Sequence, residues 1–215
     1  MRPRAPEVKG SVGTALALGA GMPARALGAA LYDDVLDWAR GRRWQWRLLV
    51  LAWLALTALK HLRDPDYSSL FSGVIFGSHE FGHLFFAAFG EFMTVAGGSL
   101  MQLLVPIGAA AALVYFGDYF GVAAAGCWLS MSLSNLAVYI GDAVAQELPL
   151  VSFSPDGGEH DWYWLLSRFN WLGYDLRIAA YVRATAGLVL VLSILLGIWL
   201  CIAMAREPTA AASER

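Results

Sequence analysis

Charged residues are scarce in this 215-residue chain, at 15% against the roughly 25% of a soluble domain. Its 15 basic and 17 acidic residues leave a net charge of -2. No field of one sign recruits an anionic polymer, and nucleic acid is excluded as a partner. Cysteine occurs only twice, at Cys127 and Cys201, both inside apolar runs. That excludes a disulfide scaffold and reads as two small buried hydrophobes. There is no internal repeat, and no Ala-x-Ala-like cleavage site follows a compact apolar core near the N-terminus, which argues against a signal peptide.

What is abundant is apolar. Hydrophobic residues make up 58% of the chain, and mean hydropathy is +0.55. Disorder is thereby excluded, and an integral membrane protein in contact with lipid is implied. The expected fold is all-α: a polytopic helical bundle of about five transmembrane helices plus an N-terminal amphipathic helix. Residues 1–43 read as a cytoplasmic N-terminal segment, 44–205 as the membrane domain and 206–215 as a tail.

Within the first segment, Ala24 to Arg40 sets Leu27, Leu31, Val35 and Trp38 opposite Asp33, Asp34 and Asp37, the pattern of a helix lying at the membrane surface. The spacing then predicts spans over Trp44 to Leu62, Leu70 to Phe89, Ser99 to Phe116, Phe120 to Ile140 and Ala179 to Met204, with Pro106 as a kink. A polar stretch, Asp142 to Asp175, carries an aromatic-rich piece suited to the headgroup layer. The positive-inside rule favours a cytoplasmic N-terminus, with Arg2, Arg4, Lys9, Arg25, Arg40, Arg42, Arg43 and Arg47 on that side, joined after the fourth span by Arg168, Arg177 and Arg183. Five spans then put the C-terminus outside.

The second span contains His79-Glu80-Phe81-Gly82-His83, an H-E-x-x-H pattern. A spacing of i and i+4 sets both imidazoles on one helix face, one turn apart, able to grip one metal ion. Glu80 follows the first ligand and is suited to act as general base on a metal-activated water. The competing view makes these packing residues satisfied by neighbouring helices, but unpaired polar groups in a membrane are costly. Gly73-x-x-x-Gly77 on the same span suggests a close helix approach.

Here the chain resembles the site-2 protease-like intramembrane zinc metalloproteases. The resemblance rests on His79 to His83 in a membrane helix and on Pro155-Asp156-Gly157-Gly158. It implies zinc (Zn2+) held by His79, His83 and Asp156, with Glu80 as the base. The chain is also similar to a group of small bacterial membrane proteins that combine H-E-x-x-H with Gly97 to Gln102, Asp142-Ala143 and His160-Asp161-Trp162. That similarity implies the bacterial cytoplasmic membrane.

A catalytic zinc takes three protein ligands, and the remaining donors are few. His61 reads as an interfacial residue at the end of the first span. His160 ranks first as third ligand because imidazole is the better zinc donor, Asp156 second and Asp142 third. Asp142 also suits a role orienting a ligand histidine, and it ends a polar stripe of Ser132, Asn135 and Tyr139 expected to face the interior. Asp156 reads more readily as part of a Pro-Asp-Gly turn, and Asp161, a further alternative as third ligand or as the group that orients a ligand histidine, reads more simply as a helix cap. Gly97-Gly98 reads as a turn or as a re-entrant edge that, with Gln102, holds an unwound peptide. The expected function is a membrane-embedded zinc peptidase acting on a membrane-protein or peptide substrate. The alternative is a metal-binding transporter, sensor or scaffold without hydrolysis.

Overall fold

The computed structural model describes residues 24–148 and 160–206. Asp156, the first 23 residues and the tail beyond 206 lie outside them. Among the described residues there is no strand. The helices are α1 (Ala24–Ala39), α2 (Gln45–Arg63), α3 (Leu70–Phe86), α4 (Glu91–Tyr115), α5 (Tyr119–Gly141), α6 (Asp161–Arg168) and α7 (Asp175–Arg206). Three stretches are long and apolar enough to cross a membrane: Glu91–Tyr115, Tyr119–Gly141 and Leu172–Arg206.

Local chemistry sets several of the boundaries. Ser69 opens α3 by accepting from the Phe71 amide, 3.2 Å, while Ser72 Oγ accepts from the Ser69 amide, 3.0 Å, which satisfies two otherwise orphaned donors. Asp118 caps α5 by accepting from the Gly121 amide. Glu91 starts α4 eight residues before the expected Ser99, because Gly97-Gly98 continues the helix instead of turning. The helix also runs on through Pro106.

Small residues bring the helices together, as expected where lipid offers no hydrophobic drive between them. α5 and α7 are antiparallel and form the most extensive pair: Gly141 faces Ala179, Gly126 faces Ser193, and Ser130 Oγ donates to the Ala186 carbonyl. α2 is antiparallel to α7, with Leu51 against Gly197 and Leu62 near Gly187. Cys127 and Cys201 are free and buried in this core. α3 and α4 form an antiparallel hairpin closed at Gly82 and Gly97; a Cβ on Gly82 would stand 2.1 Å from the Gly97 carbonyl oxygen. The close approach is here and not at Gly73 and Gly77, where an added Cβ meets open space.

The helix directions do not alternate as five full spans would. α4 is antiparallel to α5, since Gln102 reaches Ser132 and Leu113 packs on Gly121. α3 therefore runs parallel to α5, and its Phe71 and His79 rings lie beside Trp128 and Tyr139. α2 also runs parallel to α5. Successive full spans must alternate in direction, so α2 and α3 together carry the chain through the bundle once. His61 ties down the segment between them, with Nε2 2.8 Å from Ser69 Oγ. It is buried and does not sit at an exposed helix end. The remaining passages are α4, α5 and α7. Consequently α1 and the C-terminal end of α7 share one end of the bundle, with Tyr32 packed on Trp199. A C-terminus opposite the N-terminal segment does not fit these directions.

α1 lays Leu31, Val35 and Trp38 on the bundle core, Trp38 meets Tyr119 edge-on, and the Tyr119 hydroxyl donates to Asp34. At the opposite end lie the α3–α4 turn, the end of α5, α6 and the start of α7. The histidines are at that end, level with the last turn of α5.

Candidate metal centre

α3 presents His79 and His83 on one face, their ring centroids 4.7 Å apart. Each Nδ1 already has an acceptor. His83 Nδ1 donates to the Thr94 carbonyl, 2.8 Å, and His79 Nδ1 to Gln102 Oε1, 2.9 Å. The Gln102 amide donates in turn to the Ser132 carbonyl, 3.2 Å, which fixes its oxygen towards the imidazole. A neutral imidazole has a single N–H. With that proton on Nδ1, both Nε2 lone pairs face inward.

They face a carboxylate. Asp161 Oδ2 stands 3.0 Å from His79 Nε2 and 3.3 Å from His83 Nε2. In its ionised form the Asp161 carboxylate can only accept. Three acceptors thus converge with no proton of their own to share. Protons alone could fill these contacts only by making both rings imidazolium around one carboxylate. A cation removes the conflict. Ligands about 2.1 Å from a tetrahedral zinc stand about 3.4 Å apart, close to the separations found.

Gly98 leaves the room. A Cβ on it would lie 2.6 Å from both His79 Nε2 and His83 Nε2, in the space beside the donor atoms. Glu80 belongs to the same cluster: a carboxylate oxygen and one ring nitrogen of each histidine lie within 4.8 Å of one another. The donor set (two imidazoles and one carboxylate, with a second carboxylate alongside) fits zinc with one position left for water.

Asp161 reaches the histidines because α6 is held at both neighbouring helices. The Asp161 amide donates to the Tyr139 hydroxyl of α5, 3.1 Å, and Trp162 Nε1 donates to Ser99 Oγ of α4, 3.0 Å. The motif His160-Asp161-Trp162 therefore docks the helix through its first residues.

This arrangement sets Asp161, and not the expected His160, against the two imidazoles. His160 is the N-cap of α6: its Nδ1 accepts from the Tyr163 amide, 3.3 Å, and its ring lies over Tyr139, centroids 4.3 Å apart. Its Nε2 faces Asp142 Oδ2 at 3.4 Å without making a hydrogen bond. Burial lowers the His160 pKa against the pull of the Asp142 charge, so the ring is neutral. Neither nitrogen is turned to His79 or His83. Asp142 does meet a histidine, but as a structural partner away from the metal donors; its oxygens also accept from the Glu147 and Leu148 amides, 2.9 and 3.1 Å.

The substrate-contact expectations change as well. Gly97 packs on Gly82 and Phe86, Gly98 on the imidazoles, and Gln102 is buried against His79. All three are inside α4, and no edge strand exists there to hold a peptide. Of the polar stripe, Ser132 and Tyr139 serve the site through Gln102 and Asp161, whereas Asn135 is exposed. Sequence reasoning missed the Thr94 carbonyl, for which no side-chain signal exists. Comparison with family models, curated proteins and solved structures returned no match.

Proposed function

We propose that the protein is a membrane-embedded zinc-dependent peptidase. The reading is supported above all by three proton-free donors, His79 Nε2, His83 Nε2 and Asp161 Oδ2, converging beside a second carboxylate, Glu80. When bound, zinc would supply Lewis acidity and lower the pKa of a water towards about 7. Glu80 would serve as general base towards the attacking water and then as general acid towards the leaving nitrogen. Gln102 and the Thr94 carbonyl hold the imidazole protons on Nδ1 throughout. Tyr139 holds the backbone of Asp161. Substrate approaches from the His83 side, whose side chain is 25% exposed against 11% for His79.

We place the end bearing α1 in the cytoplasm, since Arg25, Arg40, Arg42, Arg43, Arg47 and Arg206 gather there, against Arg168, Arg177 and Arg183 at the other end. The site then lies near the outer face of a bacterial cytoplasmic membrane. The α2–α3 connection is polar, and its Pro65 and Asp66 line a cavity shared with Asp142, Glu147 and Arg183. Non-helical backbone is tolerated at membrane depth where it faces such a cavity.

Metal analysis of the detergent-purified protein tests the centre. The wild type and His160→Ala retain about one zinc per chain, while His79→Ala and Asp161→Ala lose it. Zinc retained by Asp161→Ala and lost by His160→Ala overturns the assignment. Glu80→Gln tests hydrolysis: it keeps zinc and stops cleavage of unwound membrane peptides. A metal-handling protein without hydrolysis shows no cleavage in either form.

A further inference from the structure

One residue beyond Gly98 and Asp161, Ser99 and Trp162 line a groove of about 480 Å³ between α4, α5, α6 and the start of α7. Its other walls include Phe92, Leu100, Leu103, Leu136 and Ile178, and no charged residue lines it. The Ser99 hydroxyl is already engaged by Trp162 Nε1. A polar ligand would find nothing to bind there. From Phe92 to Leu103 the wall follows α4 for about 16 Å at 1.5 Å per residue, which suits a single extended alkyl chain.

The rim is different. Arg168 follows the α6 face that roofs the groove and precedes the lining residue Phe169; Arg177 precedes the lining residue Ile178. Both arginines are exposed. Their guanidinium carbons lie 5.1 Å from the Trp164 ring and 5.6 Å from the Tyr174 ring. Among the described residues neither forms an ion pair with a carboxylate. Tryptophans and unpaired arginines at one end of a long apolar slot match the two halves of an amphiphile. An apolar partner helix would leave both cations unanswered.

We propose that the groove binds one acyl chain of an anionic bilayer phospholipid, with its phosphate at Arg168 and Arg177. The site rests on the membrane reading and is independent of zinc chemistry. It also underlies the helix that carries Asp161, because Trp162 is both a wall of the groove and the next residue in the chain.

The test uses the full chain in nanodiscs of equal phosphatidylglycerol and phosphatidylcholine, followed by gentle extraction and native mass spectrometry. Wild type retains about one phosphatidylglycerol per chain, in preference to phosphatidylcholine. The double variant Arg168→Gln, Arg177→Gln loses that preference by about tenfold or more, with its zinc content unchanged. Leu103→Trp fills the slot and removes bound lipid of either kind; Ala96→Phe, on the same wall, does so independently should the first variant misfold. Equal retention of the two lipids by wild type overturns the proposal. So does a dimer or a co-purifying protein whose contact Ala96→Phe abolishes while lipid binding is absent.

Discussion

A histidine that ligates through Nε2 must keep its proton on Nδ1, and each of the two histidines here meets that requirement with a different acceptor. Thr94 offers a backbone carbonyl, beyond the reach of side-chain substitution. Gln102 offers a side chain, and its removal is informative. Gln102→Leu should weaken zinc binding by about 10–100-fold, the usual cost of losing an outer hydrogen-bond partner, in a titration against a competing chelator. Gln102→Glu keeps an acceptor for Nδ1 but loses the donor to the Ser132 carbonyl, and its affinity should fall between wild type and Gln102→Leu. Gly98 makes a second residue-scale case. Gly98→Ala sets a methyl 2.6 Å from both donor nitrogens, and it should abolish zinc retention while α4 itself, given the higher helix propensity of alanine, stays helical by circular dichroism.

At the scale of the elements, the hairpin of α3 and α4 depends on backbone contact at Gly82 and Gly97. Gly82→Ala forces a Cβ to 2.1 Å from a carbonyl oxygen of the facing helix. The helices must separate, and melting in detergent should fall by several degrees, as expected for a loss of a few kcal/mol. Gly73→Ala and Gly77→Ala enter open space and should leave melting unchanged or raise it, since alanine favours helix by about 1 kcal/mol over glycine. The small α6 is held by bonds to two helices, through Tyr139 and Ser99. Tyr139→Phe removes the acceptor for the Asp161 amide and should lower zinc affinity without unfolding the bundle, read by the same chelator titration.

For the whole molecule, the parallel course of α2, α3 and α5 decides topology. Reporters fused at the two termini should both read cytoplasmic, because α1 and the end of α7 meet at Tyr32 and Trp199. Opposite readings would require α2 and α3 to run antiparallel. The apolar runs that became α4, α5 and α7 were legible in the sequence because hydropathy accumulates locally. The direction of a run leaves no mark on hydropathy, so two successive helices passing the same way counted as two spans. The site divides similarly. The pairing of His79 with His83 follows from helix geometry alone, whereas the choice between His160 and Asp161 turned on the rotation of α6.

The sequence by itself determined an all-α, lipid-compatible chain with two imidazoles and a carboxylate on one helix, since composition and an i, i+4 spacing act within a few residues. Only the tertiary structure showed which side chain faces the two histidines, what Gln102 bonds and why residues 97 and 98 are glycine. Each of those depends on which atoms of distant helices come within about 3 Å, and donor chemistry favours His160 over its neighbour until the N-cap of α6 turns His160 towards Asp142 and Asp161 towards the histidines.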